Sequence, residues 1–585
     1  MWKRVAVILA LSNAVVCHFD LLILHNNDIH GRFEETERNS GTCQPGHKNV
    51  SCVGGFARTV HVVRKYRNEA ENGAGPNVIF LNAGDTFIGT VWYTIHTWNI
   101  SSAFMNLLRP DVQCLGNHEF DKGTDELYRY ISALNYPTIG GNVDFSKVPN
   151  LTDKIPKSVV LNVNGTKVGV IGHVTTETQK ISSPGNTIFM DEVESVREES
   201  ERLDALGVKI IVVLGHSGYV KDQEIAKKVP LVDVVVGGHT NTFLWNGEKP
   251  DTEEIEGPYP TIVTQDSGKK VPVVQAYAYT KYLGILKLKF DADGNVLNTS
   301  GQPTLLNNSI PQDQDVLDLL ETYRTDINEV NKETVGRSLV TLDGTSAACR
   351  NLECNYGNLI ADANVLYKAS VTSAAWTDAP IGLMNGGSIR ASVLPSLSDG
   401  SLTRGDLLAT LPFGNQVVSL KLRGSDLVET LELGIRSDGE TSLGEFLQVS
   451  GLQVVYDRSK PSMSRVVSVR VRCGDCEIPS YKPIDVNKNY TIVTTDFLAD
   501  GFDGHYVLKE RSFDRKYVDL SDIDILSWYF KKYNPVFAEV HGRLTFINSH
   551  DVNSKSALIE PCQCLLLVFI KLLVVVFNMK MILWD

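Results

Sequence analysis

Positive charge is what this chain is short of. Its 585 residues carry 56 Lys and Arg against 69 Asp and Glu, a formal charge of −13. That balance argues against a nucleic-acid polymer as partner, because binding a phosphate backbone depends on a basic patch that releases counterions. A small phosphorylated substrate held through metals stays compatible. Internal repeats and low-complexity segments are also missing, so no repeat array is built here. Cys473 and Cys476 form a CxxC with no second CxxC at metal-like spacing in the body of the chain, which leaves half a zinc ribbon, a redox motif or a local disulfide. The apolar stretch from Val5 to Val16 is too short to span a bilayer; behind Lys3 and Arg4 it reads as the core of a cleaved signal peptide, residues 1–17.

Secretion agrees with two further features. Sequons stand at Asn49, Asn99, Asn150, Asn164, Asn298, Asn307 and Asn489, which suggests a glycosylated surface. Three cysteine sets lie close in sequence, Cys43 with Cys52, Cys349 with Cys354 and Cys473 with Cys476, and local disulfides fit an oxidising compartment. Cys114 is left over inside an apolar strand and is expected to be buried and inert. The far end, residues 550–585, has small residues, a short spacer and the apolar run Leu565 to Phe577, the layout of a lipid-anchor (GPI) attachment signal. A retained single span, disfavoured by Lys571, and an amphipathic terminus of a fully secreted protein are the rivals. The location is extracellular, at the cell surface by a lipid anchor or free.

The length implies two domains. Through about residue 310, apolar runs of strand length alternate with helical stretches such as Gly54 to Ala70, the pattern of a layered α/β fold. Gln312 to Lys332 is charged, lacks Gly and Pro, and sets Val316, Leu317, Leu320, Tyr323 and Ile327 on one helical face, so a linking helix is expected over 312–332. Val335 to Asp343 restarts strand-like character. The expected division is thus 18–311, the helix, and 333–549.

Five apolar runs in the first half each end in residues that ligate metals. They are Leu21 to Leu24 before Asp28 and His30; Val78 to Leu81 before Asp85; Val112 to Leu115 before Asn117 and His118; Ile210 to Leu214 before His216; and Val232 to Val236 before His239. A lone DxH would be an ordinary polar loop, but five such motifs at strand ends are not. Imidazole with carboxylate suits zinc, manganese or iron better than calcium. A two-metal centre needs a bridging carboxylate and separate ligands for each ion. Asp28, His30 and Asp85 can serve one ion, and Asp85, Asn117, His216 and His239 the other, which leaves His118 free of metal.

This set resembles the calcineurin-like metallophosphoesterase superfamily and, within it, the ecto-5'-nucleotidase and apyrase family, over about Phe19 to Ile547. The second half carries specific matches: Cys349, Arg350, Glu353, Cys354 with Gly357 to Leu359; Asn385 to Arg390; Leu411 to Gly414; Gly444 to Val449; and Asp496 to Gly504. The resemblance implies a four-layer metallophosphoesterase sandwich, a linking helix and a C-terminal α/β substrate-binding domain. It implies two divalent ions, zinc foremost, and a catalytic dyad of His118 and Asp121, whose spacing suits an imidazole oriented by a carboxylate. An in-line attack by metal-activated water, with no covalent intermediate, is the expected chemistry.

The resemblance further assigns nucleotide contacts to Asn241, Arg350, Asn385, Gly387 and Arg390, a base clamp to Phe413 and Phe497, and a ribose contact to Asp503. It implies that the second domain swings against the first. Ser388 stands where a third Gly is common, Thr86 where Gln is frequent, and Ala361 and Gly382 where vertebrate relatives hold a disulfide. The leading function is hydrolysis of nucleoside 5'-monophosphates, AMP to adenosine and phosphate. An apyrase acting on ATP and ADP is the close variant, and a non-catalytic receptor- or ligand-binding protein on the same fold is the different class. A homodimer is among the assemblies left open.

Overall fold

Alternate residues of the first strand, Phe19–Asn26, belong to different cores, and that division sets the architecture of the first half. Leu21 and Ile23 pack with Val168, Val170, Ile210, Val212 and Leu214 of a second sheet, while Leu22 and Leu24 pack with Phe56, Val60 and Val63 of the helix Phe56–Glu71. Side chains on a strand point alternately to opposite faces, so a strand that is apolar throughout must be covered on both. The same split recurs at Ile210–His216, where Ile211 and Val213 face Val196, Leu203 and Ile225 of the helices Glu192–Ala205 and Tyr219–Lys228. Two facing sheets between two helical layers make a four-layer sandwich.

The computed structural model describes residues 18–547 apart from 39, 44, 45, 49, 373–375, 395–398 and 438–443. The signal-peptide segment, the sequon at Asn49 and the tail 550–585 lie outside the described residues. No helix among the described residues is long and apolar enough to cross a membrane.

The first sheet runs in the order Val296–Gly301, Tyr282–Phe290, Phe19–Asn26, Asn77–Asn82, Val112–Cys114 and Thr138–Ile139. The second runs Thr261–Thr264, Lys270–Val274, Val234–Val236, Ile210–His216, Thr166–Val174 and Ser158–Val163. Their central strands are parallel, with Asn26 opposite Asn82 and Val174 opposite His216. The C-terminal ends therefore lie along one edge, where α/β folds place their ligands, and the five motif loops leave from that edge.

The connecting helix spans Gln314–Lys332 and buries Val316, Leu320 and Ile327. It packs on the helices Phe56–Glu71 and Val91–Leu108 of the first half and on Arg404–Thr410 of the second. Arg64 pairs with Asp313 at its cap at 2.8 Å, and Arg324 pairs with Glu34 at 2.8 Å while lying 5.3 Å from the Trp92 ring centre. Beyond it, only Thr334–Arg337 of the expected Val335 to Asp343 strand forms a ladder, with Ser401–Thr403. Ser338 and Leu342 find single bridges to Val536 and Val393 instead, so that stretch has no continuous partner.

The main sheet of the second half runs Leu447–Ser450, Ile381–Asn385, Asn489–Thr495, Gln416–Arg423 and Phe513–Ser521. Leu359 and Ile360 on Asn355–Ser370 join the core that holds Met384 and Val417. Leu427, Leu431 and Val507 cover the face that carries Ile381, Leu383 and Val418. All three cysteine sets are disulfides, and Cys114 is free and buried. Ala361 and Gly382 adjoin: a Cβ on Gly382 would meet the Ala361 carbonyl at 2.7 Å. The sequon asparagines 99, 150, 164, 298 and 489 are exposed.

Candidate active site

At the sheet edge the chain turns in left-handed backbone, with φ of 50° at Asp28 and His30, 55° at Asp85 and 80° at His239. Each such non-glycine residue carries strain of about 1 kcal/mol or more, and such strain gathers at functional sites. Backbone bonds between loops hold it: Asp28 N donates to Gly84 O at 3.1 Å and His30 N to Asp85 O at 3.0 Å. Two glycines let the loops meet. A Cβ on Gly84 would lie 2.6 Å from Gly116 N, and one on Gly116 would lie 2.2 Å from Asp85 Oδ1.

Beneath them sits Glu119, whose buried carboxylate accepts from the backbone N–H of Gly116 (2.7 Å), Asp85 (3.0 Å), Thr86 (2.6 Å) and Phe87 (3.3 Å). Burial, with Asp85 nearby, still pushes its carboxyl up to about 7.

Asp85 is the centre of the cluster. Its Oδ2 lies 2.9 Å from His216 Nε2, 3.8 Å from His30 Nε2 and 3.9 Å from His118 Nε2. Two groups that could each hold a cation share it: His30, Asp85 and His118 on one side, and Asp85, His216 and His239 on the other. Asp28 Oδ1 lies 3.7 Å from His30 Nε2 and 3.9 Å from His216 Nε2, and its Oδ2 accepts from His239 N at 2.9 Å. Asn117 Oδ1 is 2.9 Å from His239 Nδ1. His216 Nδ1 donates to Ala83 O at 2.6 Å, which turns Nε2 inwards.

The residues fit a pair of divalent ions. Asp28 Oδ1 is buried without a hydrogen-bond partner, the condition of an atom shaped for a cation, and His216 Nε2 turns to the Asp85 carboxylate beside it. Burial pushes Asp28 up to about 6. At Asp85 burial acts the same way, but His216 and His118 outweigh it and hold the carboxyl well below its usual range. Burial pulls His216 down, yet Asp85 and Asp28 prevail and hold it near 10, a proton occupying the place of positive charge that a metal would fill. A further group with metal-like spacing, Glu35, Cys43 and Cys52, is closed by the Cys43–Cys52 disulfide.

His118 falls within one ligand group, but its Nδ1 is engaged by Asp121 Oδ2 at 2.6 Å. Burial opposes protonation of His118; Asp121 and Asp85 overcome it and raise the imidazole above its ordinary value.

The second half closes over this cluster. Arg390 Nη2 lies 3.0 Å from His30 Nε2, and the Phe413 ring centre lies 5.8 Å from that of His118. Burial and the neighbouring Arg390 pull the Arg350 guanidinium down to about 10. Asn385 Nδ2 donates to Asp503 Oδ2 at 2.6 Å, and Ser388 Oγ donates to Asn385 Oδ1 at 2.6 Å. A Cβ on Gly387 would come within 2.8 Å of Gly444 Cα, so this turn passes close to its neighbour. Phe497 stacks on Phe502 at 4.9 Å; its ring contact is there and not with Phe413. Asn241, at φ 56°, has a buried Oδ1 without a partner.

Sequence reasoning gave no role to Glu119, Arg32 or Tyr279. Arg32 donates to His30 O at 2.9 Å and to Arg390 O at 3.5 Å, with its guanidinium 4.2 Å from the Tyr279 ring centre. Glu119 and Arg32 lie beside ligand motifs, which was the available signal; Tyr279 had none.

Residues 21–243 match the family model of calcineurin-like phosphoesterases, and residues 334–510 match that of the 5'-nucleotidase C-terminal domain. Protein 5NUC of Lutzomyia longipalpis is 43% identical over 552 residues, 93% of this chain and 96% of that one. The 5'-nucleotidase of Homo sapiens is 39% identical over 547 residues, covering 92% and 93%. Among solved structures, a 5'-nucleotidase precursor from Thermus thermophilus superposes with a TM-score of 0.83 at 35% identity, over 91% of this chain and 100% of that one.

Proposed function

Since the chain belongs to the 5'-nucleotidase family, hydrolases on the calcineurin-like phosphoesterase fold, we propose that it cleaves nucleoside 5'-monophosphates outside the cell, AMP foremost, to nucleoside and phosphate. Asp28, His30, Asp85, Asn117, His216 and His239 would hold two divalent cations; the donor set suits zinc, manganese or iron, and the family resemblance favours zinc among them. When bound, the ions neutralise phosphate oxygens and activate water at neutral pH.

The observation that carries the reading is the Asp85 carboxylate shared by two ligand groups, with the His118–Asp121 pair beside it. His118, held through Nδ1 by Asp121, carries a proton on Nε2 for the departing 5' oxygen when the imidazole is charged, the form that Asp121 and Asp85 favour. Arg350 and Arg390 bind phosphate oxygens through forked N–H pairs. Asn241 and the turn at Asn385 and Gly387 add polar contacts to the nucleotide, Asp503 takes the ribose, and Phe413 and Phe497 the base. The chain 550–585 is read as the attachment signal of a lipid anchor, checked by the mass of the mature C-terminus. A homodimer is the assembly to look for by light scattering.

Phosphate release from AMP, ADP and ATP, with and without added zinc, tests the function. Release from AMP alone supports the monophosphatase; release from ADP and ATP would make the chain an apyrase; none from any would sink the hydrolytic reading. Asp85→Ala should abolish turnover. An effect on cells that survives in that variant would point to binding instead.

A further inference from the structure

Asp121 has two carboxylate oxygens, and the pairing with His118 uses one. Oδ2 takes the bond from His118 Nδ1; Oδ1 accepts Ser182 Oγ–H, also at 2.6 Å. Ser182 is buried and 61 residues distant from Asp121 in sequence, and no motif marks it.

Its place is firmly set. Ser182 follows the short helix Thr178–Ile181, and its N–H donates to Thr178 O at 3.1 Å. Thr178 Oγ donates to Thr175 O at 2.7 Å, and Thr175 N donates to His216 O at 2.8 Å. Thr176 N is held by the buried Glu192 carboxylate at 3.0 Å. One segment thus runs from a candidate metal residue to the far oxygen of Asp121. Its other side packs on the turn Phe502–Gly504, where burial raises the Asp503 carboxyl against the opposing pull of Asn385, Arg350 and Arg436, and Glu177 adds a smaller push.

We propose that Ser182 is a positioning residue for the His118–Asp121 dyad. Rotation of a carboxylate about its last bond is broad, so a single bond to His118 would leave the Asp121 plane free to swing. A hydroxyl donated to Oδ1 is a charge-assisted bond that fixes the plane, keeps Oδ2 for His118 Nδ1, and so aims His118 Nε2 at the reacting phosphate ester. This rests on the dyad reading above.

A double-mutant cycle with AMP as substrate tests it. Ser182→Ala should lower kcat about tenfold, the share of proton-transfer catalysis lost when the acid is misaimed, with KM and zinc content within about twofold of wild type. Ser182→Thr keeps the hydroxyl and should return kcat to within about threefold. In a His118→Ala background, Ser182→Ala should change kcat by less than about twofold, because a residue acting through His118 has nothing left to position. A full tenfold loss in that background, a loss of zinc, a rise in KM in place of the fall in kcat, or no loss in the single variant would each overturn the assignment. Wild-type protein without turnover would remove the hydrolase reading as well; active wild type with an unaffected Ser182→Ala removes this one alone.

Discussion

Arg390 of the second half sets its Nη2 3.0 Å from Nε2 of His30 in the first. That Nε2 is the atom that faces Asp28 and Asp85, so a guanidinium from one half stands at the rim of the carboxylate–imidazole cluster built by the other. Its Nε is buried without a partner and can add a second bond to a phosphate oxygen.

Arg390→Ala should therefore raise KM for AMP about 10-fold to 100-fold, the worth of a charge-assisted pair. Arg390→Lys should recover little, since a point charge does not reproduce the fork. Steady-state kinetics at fixed zinc decides; unchanged KM in both would place the phosphate elsewhere.

Chelation should remove activity to below about 1%, and zinc should return it, because carboxylate and neutral imidazole in this cluster need the ion to do chemistry. The measurement is phosphate release after dialysis against chelator, followed by zinc titration. Activity that survives complete metal removal would contradict the assignment of Asp28, Asp85 and His216.

Gly116→Ala tests the close approach of the loops. The new Cβ would sit 2.2 Å from Asp85 Oδ1 and 2.4 Å from Asp85 N, so the backbone of one loop must move. Activity should fall at least about 100-fold, since a displacement of about 1 Å at a catalytic centre has that effect. Zinc content by mass spectrometry should drop with it, and a variant with full zinc and full activity would refute the argument.

Asp522 gives a pH prediction remote from the metals. Burial pushes its carboxyl up to about 8 from an ordinary 3.8, so the folded state binds the proton more tightly than the unfolded chain. The stability this contributes is present below about 3.8 and is lost as pH rises towards 8. Asp522→Asn keeps an oxygen for the N–H of Ile523, which Asp522 Oδ1 accepts at 2.8 Å. The variant should match wild type near pH 4 and melt about 2 °C or more above it at pH 8. Melting curves across that range check the sign, and a variant less stable at pH 8 would reverse it.

The first-half fold and its cluster were legible because each apolar run is a strand buried on both faces and each ends where the sheet edge begins, as at Leu21 to Leu24 before Asp28. Spacing along the chain then maps onto neighbours in space. Arg350, Arg390, Phe413 and Phe497 are ordinary residue types, and only their surrounding motifs singled them out. Glu119, Arg32 and Ser182 act through partners set by folding: Ser182 reaches Asp121 across 61 residues, and Arg32 reaches Arg390 across 358. No local pattern encodes such pairs.

The four N–H groups gathered by Glu119 have a thermodynamic consequence. Tying Gly116 to Asp85, Thr86 and Phe87 fixes both loops while the chain folds, so their ordering entropy is surrendered then and not when ions arrive. Cations enter a cup whose shape is already cast. A cation held by this cluster would then be taken up with little further ordering of these two loops.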